Sequence, residues 1–247
     1  MKILFSLILL VAFNFEIKAN TYVVSVGIAD YKYINDLRFT ERDAITFDDI
    51  MSGITEERII LLGRDATHAN ISRTIRSAFA KAKTDDTVIF FFSGHGYEGG
   101  FCCYDMRPNS YIGGISYQEM QILFRNCRSE KKIVIADACF SGGLSKQKTQ
   151  LTVQAVQNSD VIFFLSSRMD ETSLELPNGP NGLFTYFLAK GLYGEADTSH
   201  DTYVTIKEIY DYVSRGVIGY AQQIPHDQHP TIWGKYNSNL KLIKWKN

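Results

Sequence analysis

The sequence predicts a three-layer α/β/α sandwich built on a mostly parallel central sheet. Two observations lead there. Short apolar runs alternate with amphipathic helical segments along the chain, and most of those runs are apolar on both faces. A strand covered by helices on both sides needs no polar face, which separates this pattern from the in/out alternation of a half-exposed antiparallel sheet. No internal repeat, low-complexity linker or domain boundary interrupts the alternation.

The elements follow in order. Residues 1–19 read as an export signal: Lys2 gives a positive start, Ile3 to Phe13 an apolar core, and Ala19 a small residue for cleavage. The apolar stretch is too short for a convincing spanning helix. The expectation is therefore a protein exported to a periplasm or secreted, off the membrane once the signal is removed, with one domain over 20–247. Strands are expected at TYVVSVGIA (21–29), RIILL (58–62), DTVIFFFS (86–93), KKIVIADA (131–138) and DVIFFLSS (160–167), all rich in β-branched and aromatic residues. Between them, Ala44, Phe47, Ile50 and Met51 share one helical face, as do Ile71, Ile75 and Phe79. Capping boxes are expected at Ser116–Glu119 and Thr205–Glu208, the second opening a long helix with Ile209, Val213 and Val217 inward. Thr40–Asp43 fits the same pattern.

Composition narrows the function classes. The chain has 247 residues, 45% hydrophobic, with a net charge of −1. That is enough for one sizeable core, and it leaves no basic face for nucleic acid. No cofactor is expected. Four cysteines in an exported chain would ordinarily mean two disulfides. Cys102 and Cys103 are adjacent and cannot pair with each other without strain, so a pairing of one of them with Cys127 is open, with Cys139 a free thiol.

Sites in sheets of this type form at the carboxyl ends of the strands. Two ends carry chemistry: SGHG places His95 between glycines, and DACFSGG places Cys139 two residues after Asp137. If the two strands are parallel neighbours, an imidazole faces a thiol across one crevice. A thiol with an ordinary pKa of ~8.5 needs a base near neutral pH, and histidine can take its proton and return one to a leaving amine. The amides of Gly96 and Cys139 are candidate donors to an oxyanion.

This order of a first strand, an SGHG histidine and a D-x-C-x-S-G cysteine resembles the caspase-like clan, specifically the bacterial metacaspase-like (orthocaspase) cysteine peptidases. The dyad residues lie 44 positions apart in sequence, close to the roughly 50 of the His-to-Cys order in caspases. The resemblance covers essentially the whole of 20–247. It implies a cysteine endopeptidase acting on protein or peptide substrates with Arg or Lys before the scissile bond, recognised by acids rather than by the basic pocket of caspases proper. The positions matching those acids are Asp137 and Asp43, with Ser166 as pocket wall; two carboxylates would hold a guanidinium or ammonium by charge-assisted bonds. It also suggests self-cleavage near Lys146 or Lys148. The acidic calcium cluster of some relatives is reduced here to Glu98 and Asp105. A separate EF-hand-like spacing, Asp197, Ser199, Asp201, Tyr203, Thr205 and Glu208, has Thr202 where glycine is expected. His226 and His229 read as a surface loop rather than a metal site. Two other readings of the same scaffold stay open: a non-catalytic binding module, and a thiol transpeptidase or amidase.

Overall fold

The computed structural model describes residues 19–245 apart from 109, 140–156, 169 and 177–178, and the side chain of Cys139 is also outside the described set. Lys146, Lys148 and all but the last residue of the export segment lie outside it as well. In chain order the strands are β1 (Thr21–Gly27), β2 (Glu57–Leu62), β3 (Thr87–Tyr97), β4 (Gly100–Cys102), β5 (Gly114–Ser116), β6 (Lys131–Cys139), β7 (Val161–Leu165), β8 (Tyr203–Thr205), β9 (Thr231–Trp233) and β10 (Lys241–Lys244). The helices are α1 (Thr40–Met51), α2 (His68–Phe79), α3 (Tyr117–Arg125), α4 (Leu183–Lys190) and α5 (Ile206–Ala221). The main sheet runs β2-β1-β3-β6-β7-β9, parallel except for β9, with the β4–β5 hairpin hung on β3.

Strand alternation sorts the core onto two faces. Val24, Val26, Phe90, Phe92, Val134 and Phe163 pack with Ile71, Ile75 and Phe79 of α2 and Met120, Leu123 and Phe124 of α3. Val23, Ile89, Phe91, Ile133, Ile135 and Phe164 pack with α1, α4 and α5, where Phe47 stacks on Phe91 with ring centroids 4.4 Å apart. Each such side chain contributes about 1.5–3 kcal/mol by leaving water. The predicted three-layer α/β sandwich is the observed one.

Details depart from the sequence reading. The Thr205–Glu208 box is complete, whereas at Ser116 the Glu119 carboxylate turns to His68 Nε2 (2.8 Å), leaving only the Ser116 Oγ half of the box. At α1 the expected cap is absent: Phe39 is the N-cap, no side chain caps the turn, and the buried Thr40 hydroxyl has no partner among the described residues. The open disulfide pairing is also overturned. Cys102, Cys103 and Cys127 are free and buried in the α2/α3 face, where they pack as small apolar groups. Burial pushes the Cys102 thiol up to about 12.

Candidate active site

Strands β3 and β6 pair residue for residue from Thr87 opposite Lys131 to His95 opposite Cys139. Both strands run further than the sequence suggested, so His95 and Cys139 sit on the last paired position of adjacent parallel strands, not in loops beyond them. Their backbones are thereby held at the inter-strand spacing of ~4.8 Å.

His95 is fixed from two sides. Its backbone N–H donates to the Tyr31 hydroxyl (2.8 Å), and the Tyr31 ring lies against the imidazole with centroids 5.0 Å apart. The Tyr31 hydroxyl reaches on to the Cys102 carbonyl (3.3 Å). A Cβ on Gly94 would come within 2.5 Å of that hydroxyl, so only glycine admits Tyr31 here. The Nε2 of His95 lies 2.8 Å from the Asn35 carbonyl. A carbonyl can only accept, so Nε2 carries the hydrogen and Nδ1 keeps a free lone pair. Burial lowers the His95 pKa, outweighing the Asn35 hydrogen bond and the Asp36 charge, and the ring is held neutral, as a base must be.

Beside His95, Asp43 and Asp137 converge. By strand alternation Asp137 shares the face of Ile133 and Ile135, towards α1 and α4. Asp43, in the first turn of α1, is 2% exposed and accepts from Ser93 Oγ (2.8 Å), Asn181 Nδ2 (2.9 Å) and the Gly182 amide (3.0 Å). Asp137 accepts from the Thr185 amide (3.1 Å) and hydroxyl (2.8 Å). Helix α4 begins at Gly182 with no cap of its own. The two acids, one from α1 and one from β6 on the same side of the sheet, therefore act as its caps, and its positive end in turn favours their charge. Gly182 is wedged between them: a Cβ there would lie 2.5 Å from Asp137 Oδ2 and 3.3 Å from Asp43 Oδ2. Burial raises both carboxyls above the usual range, and the charge of Asp137 adds to the shift at Asp43.

These acids line a pocket of about 280 Å³ with Phe39, Thr40, His95 and, on the opposite wall, Thr172–Glu175. A roomier groove of about 540 Å³ between Leu183, Tyr186 and Tyr220 has no ionised group in its lining. Size alone does not locate the site; convergent acids beside a neutral imidazole do.

The sequence profile of the caspase domain matches residues 21–240. The chain belongs to the caspase family. No curated protein matches it. Among solved structures it is similar to a Geobacter sulfurreducens protein, with 16% identity, 90% of this chain and 97% of the other covered, and a TM-score of 0.64. That likeness supports the shared fold. The family is one of cysteine peptidases, and its domain here spans the two sheet ends just described.

The caspase domain places the remaining expectations as follows. Ser166 reaches the pocket acid Asp137 through a side-chain hydrogen bond. Fully buried, it ties the end of β7 to β6: its Oγ accepts from the Ala138 amide (3.0 Å) and lies 2.5 Å from Ser173 Oγ. The alternative for Asp43 as a helix cap within α1 does not hold, since its carboxylate points to Ser93 and α4. Gly96 is buried and pairs with Phe101 of β4. The EF-hand-like loop is engaged internally. Asp197 accepts from the amides of Asp201 and Thr202 and from Trp245 Nε1, and Glu208 closes the α5 capping box. Among the described residues no group of three His, Cys, Asp or Glu could hold a metal ion. Sequence reasoning missed Tyr31, Ser93, Asn181 and Thr185. Only the NG-x-x-T run at an uncapped helix start was a signal for the last two.

Proposed function

We propose that this caspase domain is a cysteine endopeptidase of the metacaspase-like kind, exported from the cytoplasm, that cuts after Arg or Lys. One observation carries the reading. The pocket whose floor holds Asp43 and Asp137 opens directly beside His95, which is opposite Cys139 in the sheet register. A guanidinium or ammonium entering it meets two carboxylates, with Glu175 on the wall. Ionising a buried pair of acids is costly without a cation, and a basic side chain supplies one.

In this mechanism His95 Nδ1 takes the Cys139 proton and the thiolate attacks the substrate carbonyl. The amides of Gly96 and Cys139 receive the oxyanion. The imidazolium protonates the departing amine, and water, deprotonated by the same nitrogen, releases the acyl group. The neutral resting state of His95 supports this base role. The Asn35 carbonyl keeps Nε2 protonated throughout, so one nitrogen alone shuttles.

The test compares the protein with its Cys139→Ala variant on two fluorogenic peptides that differ only in arginine or aspartate before the cleaved bond. Cysteine-dependent cutting of the arginyl peptide alone is expected. Cutting after aspartate would overturn the pocket assignment, and acyl transfer to added amines outpacing hydrolysis would make the domain a transpeptidase.

A further inference from the structure

One wall of the acidic pocket comes from the loop that follows β7. Strand β7 ends at Leu165, and the chain then loops out through Ser166 to reach Thr172–Glu175 on the pocket wall. The segment PHDQHP, residues 225–230, lies along this loop just before β9, which pairs antiparallel with β7 (Leu165 opposite Thr231). Beyond the sheet that pairing is continued by side chains. His226 Nε2 donates to the Thr172 carbonyl (2.7 Å), and His229 donates through its amide (2.7 Å) and Nδ1 (2.6 Å) to the Glu171 carboxylate. Burial alone would raise the Glu171 pKa, but the two His229 bonds, the Arg168 amide and the nearby His229 charge hold it below the usual range.

Gln228 is the centre of this contact and is 1% exposed. Its Oε1 accepts from the Leu174 amide (2.9 Å) and its Nε2 donates to the Ser166 carbonyl (3.0 Å). The amide thus bridges the first residue of the loop to a residue on the pocket wall, closing the loop on itself. Few side chains can do this, since one end must accept and the other donate. A buried Gln that spends both ends on backbone groups fixes where those groups lie.

We propose that Gln228 is a positioning residue for substrate recognition, closing the 166–174 loop and so setting the wall of the acidic pocket. This rests on the reading of that pocket as the subsite for a basic side chain. Gln228→Ala removes both ends of the bridge; Gln228→Glu keeps the shape but puts a carboxylate against the Ser166 carbonyl.

Three measurements on the full chain test it. Amide hydrogen exchange over residues 172–176, without ligand, is expected to quicken about tenfold in Gln228→Ala while β3 and β6 are unchanged. Benzamidine, a probe for the guanidinium of arginine, is expected to bind about tenfold more weakly to both variants. Iodoacetamide should inactivate Cys139 within about twofold of the native rate, because it needs no pocket wall. Unchanged exchange at 172–176 would overturn the proposal. So would exchange rising equally in β3 and β6, or faster wall exchange with full benzamidine affinity. If the unaltered protein fails to bind benzamidine, the basic-subsite reading falls, and with it the recognition role; the exchange result then still decides whether Gln228 holds the wall.

Discussion

Replacing Asp43 by Asn separates what the pocket does for stability from what it does for substrate. The side chain is 2% exposed, and its carboxyl is raised by burial and by the charge of Asp137. Asn keeps an oxygen for Asn181 Nδ2 and the Gly182 amide, and its amide can donate to Ser93 Oγ, which turns from donor to acceptor. The substitution therefore removes a buried charge at little cost in hydrogen bonds. In the wild type the folded state holds a proton that the unfolded chain, titrating near ~4, has already released. Wild-type stability thus falls as pH rises from the ordinary carboxylate range through the raised folded pKa. The Asn variant does not suffer that loss. Near pH 4 the two proteins should melt alike; at pH 8 the variant should be more stable by on the order of 2 kcal/mol, about 4–8 °C in Tm for a domain of this size. Activity should move the other way, with kcat/KM on an arginyl peptide falling about 100-fold at pH 8 for loss of a buried partner to the cation. Thermal unfolding by circular dichroism at the two pH values, with peptide hydrolysis alongside, checks both. A variant destabilised equally at pH 4 and pH 8 would refute the reasoning, as would full activity.

Other substitutions and titrations follow from the same geometry. Tyr31→Phe removes the acceptor for the His95 amide and should lower kcat about fivefold with KM little changed, read from steady-state kinetics. Gly182→Ala forces a Cβ against Asp137 and should reduce kcat/KM at least tenfold while leaving iodoacetamide labelling of Cys139 intact. Benzamidine should bind more tightly as pH rises above the ordinary carboxylate range, with proton release seen by calorimetry in buffers of different ionisation enthalpy. Proton uptake instead would contradict the raised acid pair. Of the four cysteines, Cys139→Ala leaves three buried ones, so this variant should take up no iodoacetamide when folded and three equivalents when unfolded, by mass spectrometry.

Four of the five long strands were legible because each is a run of apolar residues buried on both faces, and Phe90, Phe91 and Phe92 in succession suit little else; the edge strand β2 is only half-buried, with Ile60 exposed, and was legible from its apolar run alone. Strands β4, β5, β8 and β9 are three residues each, too short to show any alternation. The histidine and cysteine were legible as strand-end residues among glycines, yet their strands were drawn too short, because glycine weakens a strand signal even where pairing continues through it. Asp43 was ambiguous since Thr40–Asp43 satisfies a local pattern, while its true partners, Asn181 and Gly182, lie about 140 residues away. Gln228 was invisible for the same reason: a polar residue in a proline-flanked loop reads as exposed until the segment it bridges is known.

The register of β3 against β6 has a consequence for how this domain tolerates change in length. Between His95 and Cys139 the chain passes through the β4–β5 hairpin and α3, all of it connection as far as the pair is concerned. Insertions there can lengthen the loops without altering the separation of the two residues, because hydrogen bonds between strands, not the intervening chain, set that distance. Inside Lys131–Ala138 the opposite holds. Losing a single residue would turn Asp137 from the α1/α4 side to the α2/α3 side and slide position 139 past His95. The domain is free to grow between its two reactive residues, and within the strand that carries one of them it cannot change length by even one.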